Sequence, residues 1–305
     1  MTVDTRRRVA GYAAALISGA AAGLLYAVNK RLMHDLSPLQ VSWLEACIGF
    51  VLLLPGYWLR FRRDPLPRGT PWGWLVVFGL TAVVLFYFRT LGVALTSPTT
   101  AALIVRLEIV LVIVYSYLFL SERMSALAWV GAALLIGGML AAMDVSVQQL
   151  VLQLGGLAAL LASALGIASN SIVIKLHLGR VRNELTSLAN AGIQSVVFAA
   201  LLLVTGQFVA LPKLLSNPHT LLLALVGGLF IPLMLVPYYF AMKRIPMWSC
   251  RLLGLITPVA AIVADFFWLH APITVGQLVG LALVTGGAAL VIVSGVGPVQ
   301  TRQPG

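Results

Sequence analysis

Charge is scarce in this chain. Only nine of its 305 residues are Asp or Glu, and 10% are charged at all, against about 25% in an ordinary soluble domain. No polar stretch is long enough to build a nucleotide-binding domain, and GxxxxGK[ST] does not occur, so the sequence carries no ATP-hydrolysing machinery of its own. The two cysteines, Cys47 and Cys250, stand alone in apolar stretches without CxxC or Cys/His spacing. That excludes a disulfide framework and a zinc site and leaves them as small packing residues. The four histidines, His34, His177, His219 and His270, fall at loops or the ends of apolar runs and form no HExxH. This weighs against an intramembrane enzyme acting on lipid or prenyl substrates, which needs a metal site or an activated nucleophile.

Apolar residues, by contrast, make up 60% of the chain, with a mean hydropathy of +1.00, more than a soluble fold can hide. Runs of about 20 apolar residues, the length that crosses a bilayer, recur near 9–29, 39–59, 72–95, 98–119, 125–143, 153–174, 184–206, 218–240, 248–269 and 274–294. The cut between the third and fourth rests on Thr96-Ser97-Pro98-Thr99, since proline ends a helix and holds its predecessor extended. Arg6-Arg7-Arg8 resembles the start of a signal peptide, but the apolar run behind it continues to Val28, too long for a cleaved leader. The expected fold class is therefore all-α: a polytopic membrane protein of ten transmembrane helices, with the lipid bilayer as its first partner.

The formal charge of +11 has a topological explanation. With the N-terminus inside, the inner segments hold fourteen of the twenty Lys and Arg, the outer segments only Lys30, Arg31 and Lys213, and the spans Arg89, Arg106 and Arg251. Cytoplasmic loops carry such an excess, so both termini are expected in the cytoplasm and the protein in the cytoplasmic (inner) membrane. The basic residues neither gather in one segment nor alternate with aromatics, so no nucleic-acid partner is expected.

Two halves are visible. A shift of 149 aligns Leu103 with Leu252, Val110 with Val259, Gly131 with Gly280, Gly137 with Gly286 and Gly138 with Gly287; a shift of 145 aligns Ser18 with Ser163 and Val28 with Val173. Residues 1–150 and 151–305 then form two five-helix repeats. Five is odd, so consecutive repeats cross in opposite orientations, and a site between them lies near mid-membrane.

Leu107-Glu108-Ile109-Val110, Phe119-Leu120-Ser121-Glu122-Arg123-Met124, Trp129-Val130-Gly131 and Gly137-Gly138 follow one another in the first half, and Thr257-Pro258-Val259, Gly276-Gln277-Leu278-Val279-Gly280 and Gly286-Gly287 in the second. In that order they resemble the drug/metabolite transporter superfamily, ten-helix EamA type. The resemblance spans 12–143 and 155–294. It departs at Ile109, where the family pattern has proline, at Leu269-His270-Ala271, and at Glu45, where an arginine is frequent. It implies a secondary transporter working by alternating access, expected to export a small metabolite, with multidrug export as the alternative.

Charges inside a span cost about 2.5–3.5 kcal/mol each and mark interior or functional positions. Glu45, Glu108 and Asp265 balance Arg89, Arg106 and Arg251. Counting residues puts Glu45, Arg89 and Arg106 at one depth, and they are expected to form a network. Arg106 and Glu108, at i and i+2 of one helix, are expected to find other partners. A guanidinium fork suits a substrate carboxylate and a carboxylate suits an amino group, so an amino acid or related zwitterion is the expected substrate. The expected binding residues are Glu45, Arg89, Arg106, Glu108, Tyr26, Asn170, Tyr87 and Tyr238, with Pro232 and Pro237 bending the eighth span beside the cavity. No cofactor or metal is expected; a proton is the candidate coupling ion. Oligomeric state is left open.

Overall fold

The computed structural model describes residues 3–63, 69–120, 126–142, 147–212, 216–242, 244, 253–268, 270 and 272–294. Among these, no strand occurs. The helices are α1 (Val3–Leu32), α2 (Pro38–Arg63), α3 (Trp72–Leu95), α4 (Pro98–Val105), α5 (Glu108–Leu120), α6 (Ala126–Ala142), α7 (Val147–Val173), α8 (Asn183–Val204), α9 (Pro218–Met242), α10 (Ile256–Trp268) and α11 (Val275–Ser294). A π-helical turn, Ile174–Leu178, extends α7. Six of these are long and apolar enough to cross a bilayer, with shorter apolar helices beside them. The protein is an all-α, multi-pass membrane protein. Cys250, Arg251 and the segment 121–125 lie outside the described residues.

The polar punctuation between spans acts as helix caps. Ser37 opens α2 in a reciprocal capping box: the Ser37 amide donates to Gln40 Oε1 at 2.8 Å and the Gln40 amide to Ser37 Oγ at 3.3 Å, with Pro38 as first residue. Thr274 and Gln277 repeat the device at α11. The Thr96-Ser97-Pro98 cut is a sharp turn. Thr96 and Ser97 are extended, and Ser97 Oγ accepts the Thr100 amide at 3.0 Å, so α4 starts at Pro98 as expected.

The fourth span differs from expectation. It is two helices, α4 and α5, separated by a turn at Arg106–Leu107. There the hydrogen bonds tighten to i→i+3, from Arg106 to Leu103, Leu107 to Ile104 and Ile109 to Arg106. A second turn, Gly254–Leu255, precedes α10. Shifting 106 by 148 or 149 lands on 254–255, so the two breaks occupy corresponding places in the halves. Pro232 and Pro237, in contrast, lie within an unbroken α9. Ser18 donates to the Met234 carbonyl at 2.7 Å, in the turn that Pro237 loosens.

Close approaches fix helix directions. On α1 and α9, Ser18 meets Met234 while Val28 and Leu32 face Gly227, so these run antiparallel. In α3 and α7, Gly92 faces Leu160, Leu85 faces Gly166 and Thr81 bonds Asn170, again antiparallel. The corresponding helices of the two halves are opposed: α2 and α8 through Phe50–Gly192 and Arg60–Glu184, α6 and α11 through Gly138–Gly280 and Gly131–Gly287. By contrast α1 runs alongside α10, with Gly19 at Gly254–Ile256 and Gly23 at Thr257–Ala261. Packing α3 on α7 has its counterpart, five spans on, in α9 on α1.

Candidate functional site

A cavity of about 190 Å³ lies inside the bundle. Its walls come from α1 (Ser18, Gly19, Tyr26), α3 (Phe78, Phe86, Arg89), the α4–α5 break (Arg106, Glu108), α7 (Asn170, Ser171), α9 (Met234, Tyr238, Tyr239) and the approach to α10 (Gly254, Thr257), with Asn190 added from α8. The wall is mostly apolar, with a few convergent polar groups, the composition of a small-molecule site.

Two charge pairs border it. Arg89 is buried in α3, its Nη2 3.4 Å from Glu45 Oε2 of α2. The guanidinium lies over the Phe86 ring at 4.4 Å and near Tyr26 at 5.8 Å, which supplies favourable quadrupole contact in place of water. Arg106 Nη1 is 3.6 Å from Glu108 Oε1, and its Nη2 donates to the Gly254 carbonyl at 2.5 Å. The expectation that Arg106 and Glu108 point apart is thus corrected. It assumed one continuous helix; the turn at Arg106–Leu107 resets the direction of Arg106 and brings the pair together. Of the three residues expected to form a network, Glu45 and Arg89 pair with each other, and Arg106 engages Glu108 and the Gly254 carbonyl. Arg106 also joins the two repeat-related breaks, because the carbonyl it holds is the one at the turn before α10.

Of the residues expected from sequence, Tyr26, Arg89, Arg106, Glu108, Asn170 and Tyr238 line the cavity. Glu45 stands behind Arg89 and does not line it. Tyr87 points away, into the contact with Phe88 and Phe198. Ser18, Thr257 and Asn190 also line the cavity, though none of them was among the expected binding residues. Ser18 and Thr257 are single polar residues in apolar runs that stood out only through the repeat and the family pattern, and Asn190 sits among Thr186, Ser187 and Gln194 on the most polar stretch of α8. Thr257 Oγ1 donates to the Gly19 carbonyl at 2.9 Å, tying α1 to α10 under the cavity.

Two further charged residues, half-buried Lys30 and buried Asp265, serve the turn between α3 and α4. Lys30 Nζ donates to the carbonyls of Val93, Ala94 and Thr96 at 3.1, 2.9 and 2.6 Å, closing the C-terminal end of α3. Asp265 Oδ2 accepts from the Thr99 amide at 2.9 Å and from its hydroxyl at 2.5 Å, at the N-terminus of α4. A cation on the carbonyl end of one helix and an anion on the amide end of the next both match the helix dipoles.

Broken repeat-related helices around a mostly apolar cavity with a few convergent polar and charged groups, in a multi-pass helical bundle, are the construction of membrane transporters. The chain belongs to the EamA-like transporter family, whose model matches residues 9–143 and again 154–293; it is a drug/metabolite transporter. One solved crystal structure is 20% identical to it, covering 91% of this chain and 96% of its own with a TM-score of 0.61, a likeness of fold. A search of curated proteins returned no match.

Proposed function

We propose that this protein moves a small zwitterionic or carboxylate-bearing metabolite, best an amino acid with an apolar side chain, across the cytoplasmic membrane by alternating access of two inverted halves. The carrying observation is the cavity that has Arg89 and Arg106 on its wall. A guanidinium held over aromatic rings is positioned to take a carboxylate through two parallel N–H bonds. Glu108 and the carbonyl-rich breaks offer acceptors to an ammonium group, and Phe78, Phe86, Tyr26 and Met234 offer an apolar bed. Volume supports the metabolite over the multidrug reading: about 190 Å³ falls below the roughly 300–1,000 Å³ of sites for drug-sized ligands. Antiparallel α2/α8 and α6/α11 support inverted halves, and the distribution of basic residues supports cytoplasmic termini.

The test is counterflow of amino acids in proteoliposomes, with folding checked by chromatography. Arg106→Lys and Arg89→Lys keep the charge but lose the planar fork, so each is expected to raise the apparent KM at least tenfold, and Asn170→Ala less. Unchanged affinity in all three well-folded variants, or transport restricted to lipophilic cations, would defeat this reading.

A further inference from the structure

Arg89 faces two ways. Its guanidinium lines the cavity, while its partner Glu45 sits behind it, 2% exposed and outside the cavity wall. The pair is a single long contact of 3.4 Å rather than a two-bond fork, so most of the guanidinium's donors remain available to another anion. The surroundings of Glu45 leave it little else. From α1 the Asn29 amide stands beside it, itself fully buried; from α9 it meets the Gly227 backbone. On α8 the charged group is Glu184, engaged with Arg60, fifteen residues along α2 from Glu45 or about 22 Å at the helical rise. Among the described residues, the charge that faces Glu45 is therefore Arg89.

We propose that Glu45 is the proton-binding site of the transporter, with Arg89 shared between Glu45 and the carboxylate of the substrate, so that one proton binds with each substrate molecule. The proposal rests on the reading that a carboxylate enters the cavity. With the site empty, Glu45 is an anion neutralised by Arg89. When a substrate carboxylate takes the guanidinium, a bare carboxylate would be left in the membrane interior, and stranding one member of a buried pair costs several kcal/mol. Glu45 avoids that cost by taking a proton from water that reaches the cavity: an O–H bond forms on Glu45 and water is left one proton poorer. Release of the substrate returns Arg89 to Glu45 and the proton to solvent. Proton and substrate thus load and unload together as a symport, and the sum of their gradients sets the direction of net flux. Binding equilibria are reciprocal, so substrate binds more tightly at low pH. In the range where empty Glu45 is ionised, affinity rises up to tenfold per unit fall in pH.

The experiment is calorimetric titration of L-leucine, and separately L-phenylalanine, into the purified full-length protein, in buffers of different ionisation enthalpy at matched pH. The buffer dependence of the heat counts the protons taken up on binding. The expected result is one proton per ligand in the wild type and in Glu45→Asp, and none in Glu45→Gln, whose affinity becomes independent of pH. Ligand binding without proton uptake in the wild type, or uptake that persists in Glu45→Gln, overturns the proposal and leaves the substrate reading standing. Failure of the wild type to bind any of a wider set of zwitterions and monocarboxylates removes both. The wild-type count decides the matter even where Glu45→Gln folds poorly.

Discussion

The Glu45–Arg89 pair has a cost that is visible only when one member is removed. Both side chains are almost wholly buried, and a lone buried charge is worse than none, by roughly 3–5 kcal/mol. At alkaline pH an unpaired Glu45 can regain neutrality only by taking a proton against the pH. There Arg89→Met is therefore expected to lower stability more than the double variant Arg89→Met/Glu45→Gln, in thermal unfolding of the detergent-solubilised protein, and the difference is expected to shrink as the pH falls. Strict additivity would mean that the two do not interact. That these residues are special was legible in the sequence, because charge in an apolar run has few innocent explanations. Which charge meets which was not legible. Pairing depends on helix rotation and on where a helix breaks, and a two-residue turn such as Arg106–Leu107 leaves the hydropathy of its span unchanged.

At the scale of elements, the paired glycines near the ends of the two halves divide their roles. Both Gly137-Gly138 and Gly286-Gly287 stood out in the repeat, yet only one of each pair lies in the contact of α6 with α11. A Cβ on Gly287 would fall 2.7 Å from the Gly131 carbonyl oxygen, whereas one on Gly286 or Gly137 meets nothing within 4 Å. Backbone cannot swing aside as a flexible side chain does. Gly287→Ala is expected to cost folded yield and thermal stability; Gly286→Ala is expected to be neutral or to gain up to about 1 kcal/mol from helix propensity. Equal effects would place the interface elsewhere on α11. The α3–α4 turn gives a second test. Lys30→Met strands three carbonyls that a charged donor satisfied, a loss of about 2–3 kcal/mol on the scale of charge-assisted bonds. Element positions were readable in advance because transfer from water to lipid dominates them. The use of Lys30 and Asp265 as clamps was not, since each reaches a turn distant in sequence.

At the scale of the whole molecule, helix directions and cavity lining together say which side the cavity favours. The lining residues of α1 (Ala15 to Tyr26) and of α3 (Phe78 to Arg89) are centred on their spans, while α9 contributes only Met234 to Tyr239, near its own C-terminus. Because α9 is antiparallel to α1, that segment lies toward the end where α1 begins and draws the cavity off centre in that direction. Toward the opposite end, beyond Tyr26 and Arg89, Lys30 grips the end of α3 and Asp265 the start of α4, drawing α1, α3, α4 and α10 together. If the positive-inside distribution sets orientation, the cavity belongs to the cytoplasmic side and the clamped turn closes the outer side. In a cysteine-free background, a cysteine at Ala22, which lines the cavity on α1 between Gly19 and Tyr26, is expected to react with a membrane-impermeant maleimide in inside-out vesicles and to resist it in intact cells. Cysteines beside Arg62 and Arg182 should behave in the same way, and one at His34 in the opposite way. Adding Lys30→Met should bring outside reactivity to the Ala22 position by loosening the clamp. Labelling at Arg182 from outside would refute the inverted halves. Labelling at Ala22 from outside with the clamp intact would refute the assignment of the closed side.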